Sequence, residues 1–248
     1  MLSTMTSSTH RICGTLALLL NATIARAEPP RQLACLARYY ALRPVNDTAW
    51  AGMLPDGTRL TWDDGAGKTL AQALASPDLE DMLSRPYRAG AIAPVLDPDD
   101  DPGRVRVDAL FSSTYPRADI TTTVFMGHRL KVHGKVVAPL ARVAGRLRRI
   151  DVGPWMKKLS GTFVVRNIAG TDRPSNHSYG ISLDLDSART QYWRWDRPPR
   201  WHNTVPQAIV DAFEAEGFVW GGRWYRYDTM HFEYRPELLD PACRPEAR

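Results

Sequence analysis

The chain has 248 residues, 44% hydrophobic and 24% charged, with 32 Lys+Arg against 27 Asp+Glu for a net charge of +5. That length allows one large domain or two small ones, and no internal repeat, coiled-coil heptad or long low-complexity run is present. The modest positive balance suits a partner of anionic character, but the basic residues are scattered. Arg146, Arg148 and Arg149 form the one dense group, expected on a solvated helix face, so a nucleic-acid-binding function is excluded.

Residues 1–27 read as an export signal. His10 and Arg11 open it, Ile12 to Ala25 are mostly apolar, and Ala25-Arg26-Ala27 fits a signal-peptidase site. The apolar run is short and broken by Asn21, which disfavours a membrane span; an uncleaved N-terminal anchor is the alternative. Cleavage at Ala27 would remove two arginines and no acid, leaving 221 residues with a net charge of +3. Cys13 would leave with the signal. Cys35 and Cys243 would remain to pair in an oxidising compartment, periplasmic or extracellular, with lipid attachment at Cys35 as the rival.

Residues 28–248 are expected to form a single domain with an N-terminal extension. Leu36 to Leu42 predicts a short helix, and Leu54 to Trp62 a turn at Asp56-Gly57 followed by a strand. Asp63 to Lys68 lacks the spacing of a phosphate-binding loop. Thr69 to Ala75 and Pro77 to Ser84 predict two helical pieces, the second capped by Ser76. Asp97 to Gly103 is an acidic loop without the register of a calcium-binding hand. Val105 to Phe111 alternates like a strand. Val136 to Ile150 has helical periodicity, with Val136, Leu140, Val143 and Leu147 on one face and Pro139 in the first turn. Thr162 to Arg166 and Gly180 to Leu185 are strand candidates. A helix from Asn203 to Glu216 closes at Gly217, and Phe218-Val219-Trp220 and His231 to Tyr234 are strands around a bend at Gly221-Gly222. Helices grouped before and between antiparallel strands indicate an α+β fold.

Two stretches carry the chemistry: Ser175-Asn176-His177-Ser178-Tyr179-Gly180-Ile181-Ser182-Leu183-Asp184 and Asp228-Thr229-Met230-His231-Phe232-Glu233. They supply two imidazoles and a carboxylate able to hold zinc, and a further carboxylate to work on water; a catalytic zinc site keeps one position open for that water. On a strand, Ile181, Leu183 and Leu185 face the core while Ser182, Asp184 and Asp186 face away. Gly180 lets His177 fold back beside Asp184. Asp228 is expected in a turn and His231 at the head of the last strand. Glu233, on the same strand face as His231, is the reserve candidate for base or supporting partner. Trp220, Trp224, Tyr225, Tyr227 and Phe232 would wall the site.

Ser-x-His-x-x-Gly-x-x-x-Asp, then Trp-Gly-Gly-x-Trp and Asp-x-x-His-Phe-Glu, resembles the M15 family of peptidoglycan metallopeptidases over Arg166 to Glu233. That family includes D-alanyl-D-alanine carboxypeptidases and L-alanyl-D-glutamate endopeptidases, and shares its zinc-site fold with the Hedgehog signalling domain. The resemblance implies one Zn2+ on His177, Asp184 and His231, with Asp228 as general base. It implies Arg166 at the scissile carbonyl or a substrate carboxylate and Ser175 at the substrate, a peptidoglycan peptide, which Trp220 and Trp224 of the aromatic wall are expected to contact. The dipeptidase branch carries Glu where this chain has Asp228, so the shorter base resembles the endopeptidase-like branch. His128, His133 and His202 match no ligand position. A wall-binding or regulatory module keeping zinc for structure is the non-enzymatic alternative.

Overall fold

The computed structural model describes residues 27–245. The expected export signal, but for its last residue, lies outside them. Among the described residues no helix is long and apolar enough to cross a membrane.

Helix α1 spans Arg31–Tyr39 behind Pro30, earlier than expected, because Tyr40 is already extended. Strands β1 (Arg43–Asn46), β2 (Trp50–Met53) and β3 (Arg59–Thr61) form an antiparallel sheet. The β2–β3 turn carries Gly57 at φ 88°, as Asp56-Gly57 predicts. Helix α2 (Leu70–Ala75) opens with a capping box between Thr69 and Gln72. The helix expected over 77–84 contracts to a 3-10 turn at Asp81–Leu83. Asp78 and Asp81 each accept the other's backbone N–H at 3.0 Å, and Lys68 bridges both carboxylates. This reciprocal pair has the pattern of a capping box, which opens a helical turn that goes no further than Leu83.

The strand expected at Val105 to Phe111 does not form. The chain is extended at Val107 and then becomes helix α3 (Asp108–Thr114). Val105 and Arg106 are both buried, so the apparent alternation never separated two faces, and Leu110, Phe111 and Thr114 bury at helical spacing. Strands β4 (Ile120–Phe125) and β5 (His128–His133) form a hairpin the sequence reading did not anticipate. Its two turn residues, Met126 and Gly127, both have positive φ, which suits the strand twist. Helix α4 (Gly134–Leu147) follows, with the expected face buried. Because it starts at Gly134 rather than Val136, Pro139 lies beyond the first turn.

The last sheet runs β6 (Leu159–Gly161), β7 (Ser182–Leu185), β9 (His231–Tyr234), β8 (Phe218–Trp220), all antiparallel. Helix α5 (Gln207–Glu214) covers its inner face, where Phe213 stacks on Phe232 with ring centroids 4.1 Å apart. The connection to β8 passes through Gly217 at φ 88°, and helix α6 (Pro236–Leu239) follows β9. Cys35 and Cys243 are bonded, with Cα atoms 5.3 Å apart, and tie α1 to the C-terminal segment. The architecture is α+β with antiparallel sheets and several helices.

Candidate active site

Strand register builds half of the site. Asp184 on β7 lies opposite His231 on β9, Ser182 lies opposite Glu233, and the intervening Leu183–Phe232 pair points into the core. The period of two therefore puts both carboxylates and the imidazole on one face.

His177 reaches that face from a 3-10 turn, Asn176–Tyr179. Ser175 caps the turn, and its Oγ accepts the His177 N–H at 3.4 Å. Gly180 ends it in the left-handed region, at φ 68°. A Cβ there would strike Ile120 and lie 2.8 Å from the His133 nitrogen, because the β4–β5 hairpin packs directly on this backbone. The segment 162–166 wraps the turn instead of forming the expected strand. Thr162 O receives His177 Nδ1 at 2.5 Å, Val164 N donates to His177 O at 3.3 Å, and Arg166 N donates to Ser178 Oγ at 2.9 Å. Backbone groups committed this way cannot pair with another strand.

Three donor atoms converge. His177 Nε2 lies 3.2 Å from both Asp184 Oδ2 and His231 Nδ1, and His231 Nδ1 is 2.9 Å from Asp184 Oδ1. The outer ring nitrogens are occupied: His177 Nδ1 donates to Thr162 O, and His231 Nε2 donates to Glu233 Oε2 at 3.0 Å. Both inner nitrogens are thus left to face one another across a carboxylate. That donor set fits a cation, and the outer partners orient the imidazoles as they do around bound metals.

Burial opposes charge on His231, but its bonds to Asp184 and Glu233 prevail and raise its pKa to about 10. Burial likewise opposes ionisation of Asp184, and the hydrogen bonds from His177 and His231 hold it well below the usual carboxylate range. Glu233 is depressed to about 2, burial being outweighed by His231 and Arg235. Behind it, Asn176 Nδ2 donates to Glu233 Oε2, Arg106 reaches Asn176 Oδ1, and Arg235 Nη1 donates to Glu233 Oε1 at 3.2 Å. Arg235 also pairs with Glu237 at 2.6 Å, and Glu237 accepts Tyr40 OH at 2.8 Å. Asn176 lies between two residues that were singled out, yet nothing in its own type flagged it. Arg106 ends Asp101-Pro102-Gly103-Arg104-Val105-Arg106, the one upstream stretch that shares the family resemblance, whereas buried Arg235 carried no signal in the sequence.

Asp184, His231 and Asp228 open on one cavity of about 370 Å³ that Arg166, Ser175 and Trp224 also line. Asp228 lies in the expected turn, its N–H bonded to Gly221 O at 2.9 Å and its own carbonyl accepting His231 N at 3.2 Å. Its Oδ1 is buried without a hydrogen-bond partner, and burial pushes the carboxyl up to about 7. Trp224 Nε1 is likewise buried and unpartnered, its ring 5.6 Å from that of His231. Trp220 is a correction. It is fully buried in the core, stacked on Phe232, and its Nε1 donates to Thr229 O at 2.9 Å, so it does not line the cavity. Among the remaining histidines, His128 bonds Met156 O, His133 caps α4, and His202 is exposed. The acidic loop turns Asp101 inward, where it pairs with Arg104 and Arg226.

Two imidazoles and a carboxylate around one point, with another carboxylate on the same cavity, are the apparatus of a metal-dependent hydrolase. Comparison with known families narrows the class. Residues 169–234 match the family model Peptidase_M15_4, described as D-alanyl-D-alanine carboxypeptidase, which supports an M15 family peptidase.

Proposed function

We propose that the protein is an exported, periplasmic peptidase dependent on one Zn2+, which hydrolyses an amide in the peptide stem of peptidoglycan as a carboxypeptidase or endopeptidase. The observation that carries this reading is the meeting of His177 Nε2, Asp184 and His231 Nδ1, donors from separate elements, beside a cavity holding an unpartnered carboxylate. The M15 match and the export-signal pattern of residues 1–27 support the substrate class and the destination. On this reading residues 28–248 are one domain of the Hedgehog/DD-peptidase kind.

Zinc held by His177, Asp184 and His231 would supply a Lewis acid that lowers the pKa of water and polarises the scissile carbonyl. Asp228 accepts the proton of the attacking water and returns it to the leaving amine; burial raises its carboxyl above the ordinary carboxylate range, which makes it a better base. Arg166, on the cavity wall, offers a permanent charge to the developing oxyanion. Trp224 Nε1 is free to donate to the substrate, and Ser175 lies at the same wall while capping the His177 turn. Thr162 and Glu233 keep the imidazoles turned inward.

The test is Asp228→Ala in the mature protein, with zinc content and muropeptide cleavage measured on one preparation by mass spectrometry. Retained zinc with lost hydrolysis is expected. Undiminished hydrolysis would remove Asp228 from the mechanism. Wild-type protein that binds wall fragments at full zinc occupancy and releases no product would establish the non-hydrolytic module instead.

A further inference from the structure

The cavity wall is unevenly charged. Five arginines line it against four carboxylates, and a divalent cation would add further positive charge. Three of the arginines are already committed to partners within the protein. Asp101, 1% exposed, takes Arg104 at 2.9 Å and Arg226 at 2.8 Å, while Arg106 is bound to Asn176, Pro174 O and Asp108. Arg166 has its place at the reacting carbonyl under the function proposed above. Arg194 remains, without a carboxylate partner among the described residues.

The side chain of Arg194 is held without being neutralised. Its guanidinium lies 5.0 Å over the Trp193 ring, and its Nη2 is 3.5 Å from where a Cβ on Gly170 would sit. A guanidinium stacked on a ring keeps its N–H edges free for in-plane, two-pronged bonding to a carboxylate. The turn bearing it is fixed to the base: Tyr192 bridges Asp228, Trp193 N donates to Tyr227 O at 3.0 Å, and Trp195 N returns to Tyr192 O at 2.9 Å. Arg194 and Asp228 therefore share one backbone frame, and an anion bound at Arg194 is registered against the reacting amide.

We propose that Arg194 is the specificity residue of the cavity, anchoring a free carboxylate of an acidic peptide substrate. The inference rests on the peptidase reading and adds the charge that the substrate must carry. A stem peptide offers two such groups, its C-terminal carboxylate and the α-carboxylate of a γ-linked D-glutamate. The probes are therefore L-Ala-γ-D-Glu-L-Lys-D-Ala-D-Ala, its C-terminal amide, and its isoglutamine form. Binding to the zinc-loaded Asp228→Ala protein is followed by calorimetry, so that cleavage does not intrude.

The parent peptide is expected to bind about tenfold or more tightly than one of the amides, the loss of a charged hydrogen-bonded pair. Which amide weakens identifies the carboxylate. Arg194→Ala should abolish the difference with zinc content unchanged, and Arg194→Lys should keep part of it. Equal binding of all three peptides, binding of none, or a difference that survives Arg194→Ala overturns the assignment. Muropeptide cleavage by the wild-type enzyme is read separately. Cleavage with carboxylate-indifferent binding removes only Arg194, whereas absence of any cleavage removes the peptidase itself.

Discussion

Replacing Glu233 by Gln keeps the shape of the side chain and its acceptor oxygen but discharges the group behind His231. In the metal-free protein the Glu233 carboxyl is held at about 2 against an ordinary 4.5, burial being outweighed by His231 and then Arg235. That difference corresponds to about 3 kcal/mol of stability at neutral pH. The sign follows from the depression. The contribution is present above pH 4.5 and is lost as pH falls through about 2. Glu233→Gln should therefore cost metal-free protein about 3 kcal/mol at pH 7, or roughly 6–12 °C in Tm for a chain of this size. The gap to wild type should close as pH drops toward 2, where wild-type Glu233 is itself neutral. Zinc affinity should fall about 10–100-fold, the usual effect of losing a carboxylate behind a ligating imidazole. Urea unfolding across pH and competitive zinc titration measure the two effects. A stability gap that does not change between pH 7 and pH 3, or zinc affinity equal to wild type, would refute the linkage.

Two other expectations concern the metal and the covalent clasp. Since His231 stays protonated up to about 10, zinc must displace that proton; calorimetry in buffers of different ionisation enthalpy should show one proton released, with affinity rising about tenfold per pH unit from 7 to 9. Zinc uptake independent of pH over that range would contradict the inward-facing Nδ1. Reduction of the Cys35–Cys243 bridge, with its sequence separation of 208, should cost up to about 5 kcal/mol in the chain-entropy model, read as a lower urea midpoint with and without reductant. An unchanged midpoint would show that the bridge does not restrain the unfolded chain.

The strands and turns around the metal cluster were legible because each rests on a local signal. Alternation in Ile181 to Leu185 separated core from cavity, and Gly180 and Gly217 marked left-handed turns. Where side chains compete with the backbone, local signals failed. Residues 162–166 have strand-like composition, but their hydrogen bonds serve the His177 turn. The β4–β5 hairpin turns at Met126, a residue that rarely takes positive φ, so Gly127 alone marked the turn in the sequence. Trp220 was misjudged because an indole near a motif reads the same whether it faces the cavity or the core; only its bond to Thr229 O and its stacking on Phe232 decide. The arginines and carboxylates behind His231 are scattered along the chain, and only folding brings them into one buried file.

Because the bridge between Cys35 and Cys243 closes nearly all of the described chain into a covalent loop, a single cut in any exposed connection leaves one molecule rather than two. A nicked copy would keep its strands at high effective concentration and could re-form its metal-binding face. Only reduction of that one bond as well would let the two pieces part.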